Sequence, residues 1–129
     1  MTRWEYLPIL ESEAADVIRI DSTRAGGFTE SRKIATLVDT FGLPVTMHDC
    51  TGPFTMLAGL AIAATNPNAM YQEVVRAYLH HIYPLWVDYV LTVHDETVPV
   101  PQRVGLGANL DPAPSERPGC HARRTHIDR

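Results

Sequence analysis

Cysteine and long apolar runs are both scarce in this sequence, and each shortage excludes a class of protein. Only Cys50 and Cys120 are present, so there is no basis for a disulfide framework or a paired-cysteine metal site, and we expect both thiols to be free. The longest apolar stretch, MLAGLAIAA, is far shorter than a membrane span, and the first residues, MTRWEYLPILE, lack the basic start and apolar block of a signal peptide. A cytoplasmic protein with no membrane partner is therefore expected.

Positive charge is scarce as well. The chain has 11 lysines and arginines against 15 aspartates and glutamates, a formal net charge of −4, and no basic run before the last dozen residues. Proteins that hold nucleic acid by its phosphates need clustered cations, so no nucleic-acid partner is expected. A length of 129 residues suffices for one domain with a core but is short for the larger enzyme architectures, which predicts one unit or a piece of one.

What the sequence does contain is an alternation of helical and strand patterns. Thr29 is a good N-cap residue for one helix, and Pro53 suits the first turn of another. Strands that alternate with helices of this length predict a parallel α/β sheet or barrel. The predicted helices cover residues 2–15, 30–41 and 54–65, and the predicted strands cover 16–21, 43–48 and 70–75.

The alternation stops after residue 76. Residues 77–112 are rich in aromatic residues, proline and glycine, and we expect a strand-and-loop segment there that closes the fold. Residues 113–129 are polar and are expected to form a mobile tail. The fold class predicted is α/β, with about three parallel strands, their helices and an irregular C-terminal segment.

Three polar residues fall at the ends of the three predicted strands. Asp21, His48 and Glu73 are separated by 27 and 25 residues, about the length of one βα unit, so they should share the edge where parallel α/β proteins perform their chemistry. A carboxylate beside an imidazole makes a general acid or base near neutral pH, and Asp21 with His48 would form that pair. Glu73 could donate a hydrogen bond to a substrate oxygen if protonated, or repel that oxygen if ionised.

Each of these residues also has an ordinary structural interpretation. Asp21 could cap the following loop, and His48 with Asp49 could simply begin a turn. Arg24 is a candidate contact for a substrate anion, although a solvated loop cation explains it equally well. We interpret Asp49 and Cys50 as loop residues, with Cys50 an uninvolved thiol, because their spacing does not oppose them to the imidazole.

Two further patterns are weak. The adjacent glycines of residues 26–27 suggest positive φ angles or a close backbone approach, but a glycine pair alone is poor evidence for a phosphate site. His80 and His81 are neighbours in sequence and cannot share one face of an element, and no carboxylate lies at zinc-ligand spacing from them. No metal ligand is therefore assigned in this chain.

The stretch AGGFTESRKIA, the run HDCTGP and the pair QE resemble, in this order and spacing, the C-terminal half of the mandelate racemase/muconate lactonizing branch of the enolase superfamily. Within that branch the chain is most similar to acid-sugar dehydratases of the galactonate type, which are lyases. The resemblance runs from residue 2 to about residue 112 and includes the late segment VGLGANLD.

The resemblance implies a fold, a reaction and a role for each site residue. The chain would supply the last strands of a TIM-like (β/α) barrel. Family members abstract the proton next to a carboxylate, stabilise the resulting enediolate on Mg²⁺ and, in the dehydratases, expel the β-hydroxyl group with help from an acid. By position, Asp21 and His48 match the family's Asp–His pair, with His48 as general acid or base, and Glu73 matches the carboxyl group that binds the substrate. A racemase, epimerase or cycloisomerase of the same superfamily is the alternative reaction.

The resemblance also implies what this chain would lack. The family's capping domain, lysine base and three carboxylate metal ligands precede a segment like TRWE, and Met1 stands where the third ligand would be. We therefore expect this chain to bind no Mg²⁺ by itself and to be inactive alone, because without the ion His48 faces an acid too weak for it. Two strand edges and one sheet face would lack their barrel neighbours.

Three hypotheses follow from this expectation. The chain is a fragment of an acid-sugar dehydratase; or it is a partial barrel completed by a complementary chain or by self-association, with a sugar acid as substrate; or it is a non-enzymatic remnant that serves as an interaction module or binds nothing.

Overall fold

The computed structural model describes residues 1–116, 118–121, 123 and 125. Three short parallel strands form one sheet in the order β1-β2-β3. Three helices alternate with the strands along the chain, which confirms the predicted α/β class and the three parallel strands. The elements are α1 (Arg3–Glu11), β1 (Ile18–Ile20), α2 (Gly27–Thr40), β2 (Val45–Met47), α3 (Pro53–Ala63) and β3 (Ala69–Gln72).

The core lies between one face of the sheet and the helices. In β1, Ile18 and Ile20 are buried, whereas Arg19 between them is exposed on the opposite face, as the alternation of a strand requires. Val45 and Met47 of β2 continue the buried face. The cluster that they share with the helices consists of Tyr6, Leu10, Ile18, Ile20, Ala25, Ile34, Ala35, Val38, Val45, Met47 and Ile62.

The first helix is shorter than its predicted span. The prediction of helix to residue 15 was wrong, since α1 ends at Glu11 and the hydroxyl group of Ser12 donates a hydrogen bond to the carbonyl oxygen of Pro8 at 2.7 Å. Pro8 lies inside α1 without ending it. Glu13 then adopts a φ of 52°, which turns the chain out of the helical direction.

Helix α2 begins earlier than predicted. Thr29 is not its N-cap, because the helix starts at Gly27 and Gly26 occupies the cap position. Both glycines have positive φ angles, 80° and 83°, which a residue with a Cβ rarely adopts. The glycine pair thus allows the backbone conformation with which α2 begins. The backbone N–H of Gly27 donates a hydrogen bond to the carbonyl oxygen of Ser22 at 2.8 Å.

Helix α3 packs very closely on the sheet. Pro53 is at its first position, as predicted, and most of its residues are buried. A Cβ added at Gly59 would overlap the side chain of Gln72 and come within 3.1 Å of the Cβ of Met47. Glycine therefore permits this close contact between α3 and the two strands β2 and β3, and a larger residue would have to displace the side chain of Gln72.

The chain after β3 folds back over α3. It contains a π-helical turn (Tyr78–Ile82), a 3₁₀ turn (Tyr83–Leu85), two isolated bridges and a second 3₁₀ turn (Ala113–Glu116). A second apolar cluster forms there from Met56, Leu57, Leu60, Leu79, Tyr83 and Leu91. In the tail predicted for residues 113–129, positions 117, 122, 124 and 126–129 lie outside the described residues. Within the part of the chain that the structure describes, no helix is long and apolar enough to cross a membrane.

Candidate active site

The three predicted site residues lie side by side at one edge of the sheet. Asp21, His48 and Glu73 each come directly after a strand, although β3 was predicted to run to residue 75 and ends at Gln72. The backbone N–H of His48 donates to the carbonyl oxygen of Ile20 at 2.9 Å, and that of Glu73 donates to Met47 at 2.9 Å. The hydrogen-bond ladder of the sheet thus continues into the site and sets the spacing of its residues.

Asp21 and His48 form the expected pair. Nδ1 of His48 lies 2.9 Å from Oδ2 of Asp21, and the side chains are 25% and 8% exposed. Because a carboxylate only accepts hydrogen bonds, Nδ1 carries the proton of this contact. The other ring nitrogen, Nε2, is therefore the atom available for proton transfer.

The carboxylate of Asp21 is held by more than the imidazole. The hydroxyl group of Thr51 donates to Oδ2 at 2.7 Å, and the hydroxyl and backbone N–H of Thr23 donate to Oδ1 at 2.5 Å and 2.9 Å. Burial by itself would raise the pKa of Asp21, but the hydrogen bonds from Thr23, Thr51 and His48 outweigh it and hold the pKa well below its usual range. Asp21 is thus a fixed anion that orients the imidazole.

Glu73 faces the free nitrogen of the imidazole across a gap. Its Oε2 lies 4.0 Å from Nε2 of His48, which is longer than a hydrogen bond, so an oxygen atom of a substrate could contact both groups. Oε2 also accepts a hydrogen bond from the backbone N–H of Asp49 at 3.1 Å, and Oε1 lies 3.5 Å from Nη1 of Arg19. The Glu73 carboxylate therefore has one backbone donor and one cationic neighbour.

Arg24 lies at the margin of this arrangement. Its side chain is 78% exposed, and its Nε lies 3.8 Å from Oδ2 of Asp21. A cleft of about 330 Å³ opens beside the pair, and Arg24 borders it. A role for Arg24 in binding a substrate anion stays a prediction. The cleft is lined by Met1, Tyr6, Arg19, Asp21, Arg24, Ala25 and His48.

Sequence reasoning missed two groups of site residues. Arg19 could have been found, because it precedes Asp21 by two residues in a strand and must point to the same face. Asp49 was interpreted as a loop residue, yet its side chain is completely buried and accepts a hydrogen bond from the hydroxyl group of Tyr83. No local sequence pattern predicts this contact, because Tyr83 is 34 residues away from Asp49 in sequence.

Cys50 occupies the turn, as predicted. It is exposed, and partial desolvation together with the nearby carboxylates of Glu73 and Asp49 raises the pKa of its thiol. A thiol whose pKa is raised is a poor nucleophile, which agrees with the interpretation of Cys50 as uninvolved.

The site does not fit a metal ion by itself. Among residues 1–116, 118–121, 123 and 125, no group of three or more histidine, cysteine, aspartate or glutamate side chains could hold one. The oxygens of Asp21 already accept bonds from Thr23, Thr51 and His48.

Parallel strands joined by helices, with an imidazole–carboxylate pair at their carboxyl ends, are typical of (β/α) folds that perform acid–base chemistry at that edge. The sequence model of the family described as "Enolase C-terminal domain-like" matches residues 1–114. The chain belongs to this family.

Individual relatives agree with the assignment. The chain is 36% identical over 108 residues to a D-xylonate dehydratase of Haloferax volcanii, which covers 80% of this chain and 25% of the relative. It is 26% identical over 117 residues to a D-galactonate dehydratase of Ralstonia pickettii, which covers 87% of this chain and 31% of the relative. The resemblance to acid-sugar dehydratases is therefore confirmed.

A solved structure shows the same fold. The crystal structure of an enolase protein from environmental shotgun sequencing of the Sargasso Sea superimposes with a TM-score of 0.88 at 35% identity, covering 99% of this chain and 34% of that one. The chain thus spans between a quarter and about a third of the length of the proteins it matches.

Proposed function

We propose that this chain is the C-terminal barrel portion of a Mg²⁺-dependent acid-sugar dehydratase, and that it is inactive until the rest of the barrel is present. The remainder would come from a longer protein, from a complementary chain or from self-association. The observation that carries the proposal is the Asp21–His48 pair, whose free Nε2 faces Glu73 across 4.0 Å.

The reaction removes the proton next to a carboxylate and the hydroxyl group on the neighbouring carbon. His48 would take or deliver the proton at Nε2, and a proton given to the departing hydroxyl lets it leave as water. Asp21 stabilises the imidazolium form by its fixed negative charge. When bound by the rest of the barrel, Mg²⁺ would supply charge stabilisation of several kcal/mol for the deprotonated substrate.

Glu73 and Arg19 would act together on the substrate carboxylate. The ionised carboxylate of Glu73 would repel the carboxylate of a bound substrate. The guanidinium group of Arg19, 3.5 Å from Oε1 of Glu73, offsets the negative charge of Glu73 and so reduces this repulsion. Dehydratase relatives that act on D-xylonate and D-galactonate support a sugar acid as the substrate class.

A chimaeric enzyme tests the proposal. The matching C-terminal segment of the Haloferax volcanii D-xylonate dehydratase is replaced by this chain, and formation of a 2-oxo acid from D-xylonate is followed as its semicarbazone. We expect turnover that requires Mg²⁺ and that His48→Asn lowers by about 10²-fold or more, whereas the isolated chain gives none.

Two controls separate loss of catalysis from loss of folding. The parental dehydratase fixes the full rate, and circular dichroism with gel filtration establishes that the chimaera is folded. A folded chimaera with no turnover, or with turnover that His48→Asn leaves intact, would overturn the proposal. Formation of an epimer of the sugar acid instead of a 2-oxo acid would identify the racemase alternative.

A further inference from the structure

The turn after β2 is tied to the rest of the site by one buried carboxylate. The Asp49 side chain is fully buried, its Oδ2 accepts the backbone N–H of Val75 at 2.8 Å, and its Oδ1 accepts the backbone N–H of Cys50 at 2.8 Å. The hydroxyl group of Tyr83 donates to the same Oδ1. The backbone N–H of Asp49 in turn donates to Oε2 of Glu73 at 3.1 Å.

We infer that Asp49 and Tyr83 are positioning residues, which hold the carboxyl group of Glu73 at its distance from His48. The inference rests on the proposed function, because it assigns Asp49 and Tyr83 to the same site. It makes the segment after β3, up to residue 83, a part of the catalytic apparatus rather than a cover for α3.

The geometry constrains Glu73 from two sides. Its carboxylate is bonded to the backbone of Asp49, and the backbone two residues beyond it, at Val75, is bonded to the side chain of Asp49. His48 precedes Asp49 directly and is fixed by the sheet ladder. A displacement of Asp49 would therefore change the spacing between His48 and Glu73.

Tyr83 is suited to hold the buried carboxylate. Its side chain is among the largest fully buried ones, and burial together with the hydrogen bond to Asp49 raises the pKa of Tyr83 well above its usual range. The phenol therefore keeps its proton near neutral pH and acts as a hydrogen-bond donor. If this donor were lost, Oδ1 of the buried carboxylate would keep only the backbone N–H of Cys50 as a hydrogen-bond donor.

A purely structural role for Tyr83 predicts a different result. Tyr83 also packs in the apolar cluster with Leu79 and Leu91, so its loss would lower stability in either case. Only a positioning role changes how strongly Glu73 influences the imidazole of His48. The readout must therefore be that influence, and not stability.

The test is a double-mutant cycle read by NMR at the ring of His48. The ¹⁵N shift of Nε2 and the shift of the Hε1 proton are compared before and after Glu73→Gln, first in the native background and then with Tyr83→Phe. We expect Glu73→Gln to perturb both shifts in the native background, and Tyr83→Phe to reduce that perturbation by about twofold or more. An unchanged perturbation in Tyr83→Phe would overturn the inference.

Two controls separate positioning from packing. Tyr78→Phe removes a hydroxyl group from the neighbouring ring, whose centroid is 6.0 Å from that of Tyr83, and Leu91→Ala weakens the same apolar cluster. Both should leave the perturbation at its native size. If Leu91→Ala reduces it as much as Tyr83→Phe does, the role of Tyr83 is structural and the inference fails.

Asp49→Asn provides a second variant. An asparagine has only one acceptor oxygen, so it cannot accept hydrogen bonds both from Val75 and from the donors Cys50 and Tyr83. The effect of Glu73→Gln on the His48 shifts should therefore be smaller in Asp49→Asn as well. The cycle is measured in the isolated chain and in the chimaera, so it does not depend on the chain folding alone. If a chimaera fails to dehydrate D-xylonate while Tyr83→Phe still reduces the effect of Glu73→Gln on the His48 shifts, that result would contradict the proposed function and support the positioning role.

Discussion

Oδ2 of Asp21 accepts two hydrogen bonds, from Nδ1 of His48 at 2.9 Å and from the hydroxyl group of Thr51 at 2.7 Å. A carboxylate held in this way cannot rotate without losing both donors. The imidazole is therefore set in one tautomer and one orientation before any substrate arrives.

Replacing Asp21 by asparagine should remove this control over the imidazole. An amide that keeps its oxygen toward Thr51 places no negative charge beside the ring, and the imidazolium form loses its stabilisation. In the chimaera we expect Asp21→Asn to lower kcat by about 10²-fold or more with the fold retained. The exposed Asp39→Asn is the matched control and should keep the parental kcat.

Asp21 should also make stability depend on acidity. Its folded-state pKa is depressed relative to the unfolded chain, so its contribution is present above the unfolded pKa of about 4 and is lost as the pH falls toward the folded value. Asp88, whose pKa is lowered by hydrogen bonds from Arg103 and Asn109, acts in the same direction. Denaturant titrations at several acidic pH values should show a smaller acid loss in Asp21→Asn, and an identical loss would contradict this origin.

Cys50 should be replaceable by glycine with a gain in stability. Its φ of 112° lies in a region that a side chain makes costly, and glycine adopts it freely. We expect Cys50→Gly to raise the free energy of unfolding by about 1 kcal/mol, from relief of backbone strain. Cys50→Ala keeps the Cβ and should give no such gain, so equal values for the two variants would disprove the strain.

Gly59 should not tolerate alanine, although alanine is normally the better helix former. The added Cβ would overlap the side chain of Gln72 and approach Met47. We expect Gly59→Ala to lower the free energy of unfolding by about 1–3 kcal/mol, opposite in sign to the usual helical preference. The double variant with Gln72→Ala removes the overlap and should recover part of the loss.

The strand ends could be predicted from the sequence because the information is local. The strand patterns of residues 16–21, 43–48 and 70–75 and the length of a βα unit predict that Asp21, His48 and Glu73 share one edge. The parallel order of the sheet follows from the helices that connect one strand to the next, because a parallel pair needs a long crossover connection.

The remaining features depend on contacts that no local pattern encodes. Thr29 looked like an N-cap because threonine often is one, but two glycines with positive φ start the helix earlier. Asp49 looked like a turn residue because its partners Val75 and Tyr83 are far along the chain. Such long-range hydrogen bonds become visible only when the turn after β2 meets the segment after β3.

The continuation of the sheet ladder through His48 and Glu73 has a consequence for how such a site would be inherited. Folding alone preserves the places of these two residues, because their backbones complete the pairing of β1, β2 and β3. It does not preserve their side chains, which contribute little to the apolar core. A descendant that no longer transfers protons would keep the backbone positions of residues 21, 48 and 73 at the sheet edge and would change only their side chains.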